Sequence, residues 1–358
     1  MGIFRRMCCQ QLEAFGQPLV AREKPAPEPQ GSEVLLRVVA AGVCHSDVHI
    51  CEGFYDLGGG RKSSFQGHVS LPLTPGHENS GVVVALGPEA KGVSEGELCL
   101  VCPWIGCGEC PECREGAEHL CRAPRFLGAN RDGGFADHVL VPDARYLIPL
   151  GDLDPVRAAP LACSGLTTFS ALRKFGPRLA EQPLVVIGAG GLGLMCLAML
   201  QLLGARPPVI VETDPGRCEA ALAAGAVAAI DPKAPDVSKA IRRAVGGDVL
   251  CVLDLVGSGE TTTLGFNLLG KRGKLVVVGL FGGAATISTP MLPMKSASIE
   301  GSYIGTLAEL RELVGLVRQK GLPQVPLDRR PLEAANQALA DLAQGRVVGR
   351  VVLSPTSA

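Results

Sequence analysis

A strand-length apolar run, a glycine-rich turn and a helix-length apolar segment follow one another in PLVVIGAGGLGLMCLAMLQLLGA, residues 183–205. No other feature of the chain narrows its fold as much. Gly188, Gly190 and Gly193 give the G-x-G-x-x-G spacing, which is weak by itself in a chain with 46 glycines. Its position between a strand and a helix adds weight, as does Glu212 at the end of VIVE, nineteen residues after Gly193. Together these read as a dinucleotide-binding turn. Gly188 permits the tight turn, Gly190 lets the backbone approach a pyrophosphate, and Gly193 lets helix and strand pack closely. The helix start, with Gly191 and Leu192, offers free N–H donors to the anion. Glu212 is expected to accept both ribose hydroxyls and to repel a 2′-phosphate, favouring NAD over NADP, and Arg217 is placed in the same cofactor-binding set.

The segments around the turn repeat its grammar. PPVIVETDPGRCEAALAAGA is strand, turn and helix again, and VAAIDPK, DVLCVLDLVGS and KLVVVGL supply further apolar strands. Strands that are apolar throughout and alternate with helices imply a parallel sheet covered on both faces. Residues 1 to about 155 differ: short apolar segments such as SEVLLRVVAAGVC and DHVLVPDARYLIPL are separated by Gly, Pro and Asp, as in a barrel-like or sandwich-like β domain. At 358 residues the chain exceeds the size at which one core keeps growing. The expected division is therefore a mainly β domain over 1–155, a doubly wound α/β domain over 156–295, and a tail over 296–358, two amphipathic helices and a closing strand, that returns in part to the first domain.

Four cysteines crowd into CGECPECREGAEHLC, residues 107–121. Cys107, Cys110, Cys113 and Cys121 can meet at one centre, as a metal knot or a disulfide knot. The N-terminal stretch lacks the apolar run and cleavage site of a secretory signal, and no segment approaches about 18 uninterrupted apolar residues. The expected compartment is the cytoplasm, where thiols stay reduced and such clusters bind metal. Four thiolates close a tetrahedron around zinc and leave no position for chemistry, so this site is read as structural. With 34 basic and 35 acidic residues and no run of like charges, neither a nucleic acid nor a membrane surface is an expected partner.

Three further segments carry metal-ligand residue types: GVCHSDVH (Cys44, His45, Ser46, Asp47, His49), PGHEN (His77, Glu78) and LACSGLTT (Cys163). With the cysteine loop and the glycine turn they make five segments in one order, and over nearly its whole length the chain resembles the zinc-dependent medium-chain alcohol dehydrogenases. The resemblance implies a GroES-like catalytic domain beside a Rossmann-type domain. It implies a catalytic zinc on Cys44, His77 and Cys163 with one position open to substrate, and a structural zinc on the four-cysteine loop. Ser46 then matches the hydroxyl that takes the alcohol proton, and His49 the outer base that passes it to solvent. Asp47 matches the carboxylate behind the ligand histidine, Glu78 the neighbouring glutamate that can approach zinc, and Arg350 an arginine that pairs with pyrophosphate. The implied substrates are small alcohols, aldehydes or ketones, and the implied assembly is a homo-oligomer, dimer or tetramer. Polyol and formaldehyde dehydrogenases share this fold, as do nucleotide-binding relatives that have lost catalysis.

One stretch departs from the family. Cys44 and His77 are further apart than is usual, and the extra residues, about 56–70, are glycine-rich and polar, as in a surface loop near the cleft mouth. His68 in this loop is read as solvated. Trp104 and Phe54 are candidate walls of an apolar substrate pocket. Cys8, Cys9, Cys51, Cys99, Cys102, Cys196, Cys218 and Cys251 match no ligand position and are read as reduced thiols.

Overall fold

The computed structural model describes residues 6–355. The apolar runs around the glycine turn form a six-stranded, wholly parallel sheet: Val185–Ile187, Val209–Val211, Ala228–Ile230, Val249–Asp254, Leu269–Val277 and Ser298–Gly301. Counted along the chain, the order across the sheet is 3-2-1-4-5-6. The order reverses between the first and fourth strands, which opens a crevice at their carboxyl ends, directly above the glycine turn. Helices Gly191–Leu203, Pro215–Ala223, Val237–Val245 and Gly259–Leu268 make the crossovers. Their starts are written in the sequence. Asp214 Oδ1 accepts from the Arg217 N–H at 2.8 Å, and Ser258 Oγ from the Thr261 N–H at 3.1 Å.

The sixth strand corrects the expected boundary at residue 295, because Ser298–Gly301 completes the nucleotide sheet. The helix Leu307–Lys320, closed by a Thr306/Glu309 capping box, then packs against helices Ser164–Arg173 and Gly191–Leu203. The return comes later. Leu327–Pro331 pairs in parallel with Arg350–Ser354, which in turn pairs antiparallel with Val34–Val43.

Val34–Val43 is the spine of the other sheet. Glu78–Leu86 runs antiparallel beside it, followed by Leu98–Val101 and Leu147–Pro149, and His138–Val141 pairs with its first half. Val34, Leu36, Val38 and Leu100 are buried in the core this sheet encloses. A short helix, His45–Glu52, leaves the end of the spine with Cys44 as its N-cap, and Cys163 caps Ser164–Arg173.

The segment read as a loop is instead a β-hairpin, Phe54–Gly58 with Arg61–Ser64. Gly59 and Gly60 both take positive φ, +61° and +77°, which suits a two-residue turn between right-twisted strands. Among the described residues no helix is long and apolar enough to cross a membrane.

Candidate active site

Cys44, His77, Glu78 and Cys163 come from four places in the sequence, yet one ligand atom from each lies within 4.8 Å of the others, and all four residues are buried. One carboxylate arranges two of them. Asp47, fully buried, accepts the Cys44 N–H on Oδ2 at 2.8 Å and the Gly76 N–H on Oδ1 at 3.3 Å. Its Oδ1 also lies 3.0 Å from His77 Nδ1. With Nδ1–H donating there, Nε2 keeps its lone pair, and Nε2 is buried with no partner among the described residues. A buried nitrogen lone pair aimed at two thiols is the donor set of a zinc ion with an open fourth position.

The charges agree. The hydrogen bond from Cys163 holds the Cys44 thiol well below its usual range, against burial and with help from His77. The same bond, with burial, pushes Cys163 up. Burial opposes a charge on His77, but Asp47 and Cys44 together raise it well above the histidine range. Glu78 is pushed up to about 7 by burial, with Arg350 pulling the other way.

Arg350 is not an exposed strand-end residue. It is buried, and its Nη2 lies 2.6 Å from both Glu78 carboxylate oxygens and 3.1 Å from the Val43 carbonyl. Its other flank faces the glycine turn: a Cβ added at Gly191 would lie 3.0 Å from Arg350 Cδ and Nη1. Glu78 is therefore committed to Arg350, and Arg350 stands between the metal set and the nucleotide turn.

The turn fits a dinucleotide. Gly188 has φ +97°, and a Cβ at Gly193 would meet the Gly188 carbonyl oxygen at 2.2 Å, whereas a Cβ at Gly190 would stand in open space above the start of helix Gly191–Leu203. Glu212 lies at the expected edge, nearly buried. Its Oε2 accepts the Ala189 N–H at 2.8 Å and its Oε1 the Thr213 and Asp214 N–H groups at 2.8 and 3.0 Å. The Thr213 hydroxyl also donates to Oε1 at 3.2 Å, so the carboxylate stiffens the turn and has acceptor capacity left on Oε2 alone. Arg217 reaches away, its Nη2 donating to the Gly345 carbonyl at 2.6 Å.

In the cysteine loop, ligand atoms of Cys107, Cys110, Cys113 and Cys121 also lie within 4.8 Å of one another. The Cys110–Cys113, Cys110–Cys121 and Cys107–Cys113 sulfur separations are 3.4, 3.8 and 3.9 Å. Zn–S bonds of about 2.3 Å give a tetrahedron with edges of about 3.8 Å. The Glu109 and Cys110 N–H groups bond to the Cys107 sulfur and bring that thiol down to about 6.

Residues 30–152 match the model of the alcohol dehydrogenase GroES-like domain, and residues 191–319 that of the zinc-binding dehydrogenase domain. An NAD-dependent alcohol dehydrogenase of Sulfurisphaera tokodaii is 39% identical, the match covering 98% of this chain and 100% of that protein. The chain belongs to the zinc-dependent medium-chain alcohol dehydrogenases. A second relative of that description, from Saccharolobus solfataricus, is 37% identical over 96% of this chain and 99% of its own. The crystal structure of the alcohol dehydrogenase of Aeropyrum pernix superposes with a TM-score of 0.87 at 30% identity, covering 97% of this chain and 100% of that one.

In this member of the family, Ser46 and His49 lie three residues apart on helix His45–Glu52 and so share a face. Both are half-buried, and His49 Nδ1 is 3.6 Å from Glu52 Oε2. Trp104 stands against the metal set, its ring 5.3 Å from that of His77 and its Nε1 donating to the Ala162 carbonyl at 2.9 Å, beside Cys163. On the hairpin the Phe54 ring lies under Lys62 Nζ at 3.6 Å, while the neighbouring Tyr55 ring, on the opposite side of the strand, lies 5.1 Å from His49 and 4.9 Å from Phe65. A strand signal in this segment was the missing clue to Tyr55. His68 is exposed in a turn, and the eight other cysteines are free thiols.

Proposed function

We propose that the protein is an NAD(H)-dependent zinc alcohol dehydrogenase that interconverts alcohols with aldehydes or ketones. The carrying observation is His77 Nε2, buried and unpartnered within reach of Cys44 and Cys163 while Asp47 fixes the other ring nitrogen. These three side chains would hold the catalytic zinc, and Cys107, Cys110, Cys113 and Cys121 a structural one, giving two per chain. When bound, zinc supplies Lewis-acid polarisation of the alcohol oxygen and NAD accepts the hydride.

The chain's own residues do the rest. Ser46 Oγ, which has no protein partner among the described residues, takes the alcohol's hydroxyl proton, and His49 relays it to solvent. The carbinol carbon gives up its hydride and becomes a carbonyl, so one proton and one hydride leave per turnover. The glycine turn seats the pyrophosphate, and Glu212, where a 2′-phosphate would meet a carboxylate, favours NAD. Arg350 ties the turn to the catalytic sheet and brings positive charge towards the pyrophosphate. Asp47 keeps both ligand segments in place.

The proposed partners are small-molecule alcohols and carbonyls rather than nucleic acid or membrane, and a reducing cytoplasm suits the eight cysteines outside the two proposed metal sets, which stand as unpaired thiols. A homo-oligomer is supported by the edge strand Ser298–Gly301 and the exposed Leu280, Phe281, Met294 and Ile299. Initial rates of NADH formation by zinc-replete protein over primary, secondary, aromatic, cyclic and polyhydric alcohols test the activity. Turnover with at least one class, several-fold weaker with NADP, is expected; no NAD reduction with any of them overturns the reading.

A further inference from the structure

The neck of the four-cysteine lobe is closed by one carboxylate. Glu118 stands three residues before Cys121, and its Oε2 accepts the N–H of Gly106, the residue before Cys107, at 2.9 Å. The fit leaves no slack: a Cβ at Gly106 would lie 2.4 Å from Cys113 Sγ and 3.2 Å from Glu118 Cβ. The place of Glu118 is therefore set by the ligand cluster it abuts. Its side chain is only 12% exposed, whereas Glu115 and Leu120 of the same lobe are exposed.

The same carboxylate reaches out of the lobe. Its Oε2 accepts the Tyr146 hydroxyl at 2.5 Å, and its Oε1 lies 3.4 Å from Arg145 Nη2, which itself donates to the Tyr146 oxygen at 2.5 Å. Tyr146 is fully buried, so its hydroxyl needs an acceptor, and among the described residues Glu118 supplies it. Arg145 and Tyr146 lead directly into strand Leu147–Pro149 of the catalytic sheet. The helix Leu307–Lys320 holds that segment at both ends: Arg311 Nη2 donates to the Arg145 carbonyl at 2.7 Å, and Arg318 Nη2 donates to the Pro149 carbonyl. The Cys102 N–H, on the chain entering the lobe, donates to the Tyr146 carbonyl at 2.8 Å. Residues 145–149 are thus a seam where the lobe, the catalytic sheet and a helix of the nucleotide-binding unit converge.

We propose that Glu118 is a positioning residue that keys the four-cysteine lobe into this seam, so that metal held in the lobe stiffens the contact between the two units instead of acting as a local staple. The proposal rests on the reading of Cys107, Cys110, Cys113 and Cys121 as a zinc site. A closed site fixes the segments carrying Cys107 and Cys121 relative to each other. Glu118, bonded to Gly106 on one side and to Tyr146 and Arg145 on the other, passes that constraint to residues 145–149. Its bonds are charge-assisted and largely shielded from water, which makes them the strong kind.

The test is hydrogen exchange read by mass spectrometry on zinc-replete protein. It compares wild type with Glu118→Gln, Tyr146→Phe and, as a control on the same lobe, Arg122→Ala, whose side chain is 75% exposed in its pair with Glu112. Glu118→Gln keeps the shape and gives up the charge. It is expected to speed exchange in 145–148 and 307–318 on the order of tenfold, because a hydrogen bond to a charged group contributes about that factor or more. Strand Val34–Val43 should exchange as in wild type. Tyr146→Phe gives the same pattern, and Arg122→Ala gives none. Chelation in the Cys44→Ala background, where only the zinc of the lobe remains, loosens the same two stretches, and adding Glu118→Gln to that background removes the response of 307–318 to chelation. Change confined to 106–121 would make the lobe a local staple and overturn the proposal. So would equal acceleration in Val34–Val43, the mark of a general loss of stability, or an effect of Arg122→Ala as large as that of Glu118→Gln. If Tyr146→Phe does not fold, Glu118→Gln and chelation still decide. If metal analysis finds no zinc on the four cysteines while Glu118→Gln still loosens the seam, the zinc reading fails and the Glu118 bridge stands.

Discussion

Asp47 holds two ligand-bearing segments with one carboxylate, so its loss should be felt in the metal before the fold. Asp47→Asn keeps the shape but gives up the charge that lifts His77. Replacing such a partner typically costs about 10- to 100-fold in metal affinity. Chelator competition should show that loss while NADH binding is unchanged; unaltered zinc affinity would remove Asp47 from its role. Ser46 and His49 should separate by severity. Ser46→Ala is expected to lower kcat by about 10² to 10⁴ with cofactor binding intact, since a general acid–base group contributes that much. His49→Gln should retain more activity, reduced chiefly near neutral pH, because hydroxide replaces an outer base as pH rises. Rates across the pH range for both variants check this, and wild-type turnover in Ser46→Ala would sink the relay. These residues were legible in the sequence because each sits in a short segment of fixed spacing. The Glu78–Arg350 pair was not: its partners are 272 positions apart, and nothing local to either announces the other.

Elements explain which expectations needed correcting. The hairpin passed for a loop because its run of glycines looks the same in a flexible segment as in a tight turn flanked by exposed strands, and only pairing tells them apart. The sixth nucleotide strand was placed beyond the boundary because SASIEG alternates polar and apolar residues like an edge strand rather than a buried one. The clustering of the cysteine lobe, by contrast, was legible from spacing, although spacing left open whether metal or disulfides would close it. Cys110→Ala should remove one zinc and lower the melting temperature, because metal binding at a closed site is folding free energy; a variant as stable as wild type would deny the lobe its structural role. The returning segment carries its own clamp. Bonds from Arg346, Arg330 and Gln337 hold the Asp341 carboxyl down to about 2, from an ordinary 3.8. A depressed acid stabilises the fold above its unfolded value and loses that effect as pH falls through its folded value. Asp341→Asn should therefore unfold at lower denaturant than wild type at neutral pH, with the difference closing between 3.8 and about 2. A gap independent of pH would show that the clamp acts by packing.

Across the whole molecule, the two proposed metal sites and the glycine turn would divide the labour, and metal analysis of reduced, purified protein should return two zinc per chain. Cys44→Ala should leave one and abolish turnover with little loss of stability, since an open site serves chemistry more than folding; a single zinc in the wild type would cancel one of the two assignments. The fold class was readable because the strand–turn–helix grammar is local, while the meeting of the two units is a matter of three-dimensional closure. That closure has a temporal side. Arg350–Ser354 is hydrogen-bonded to Val34–Val43, the strand that delivers Cys44, and Arg350 neutralises the glutamate next to His77. A ribosome therefore releases the last piece of the catalytic sheet some three hundred residues after the first. The nucleotide unit has all its strands well before then, and domains generally fold as units during synthesis. The nascent chain is a dinucleotide fold waiting for its chemistry, and catalytic competence arrives only once Arg350–Ser354 has joined the sheet.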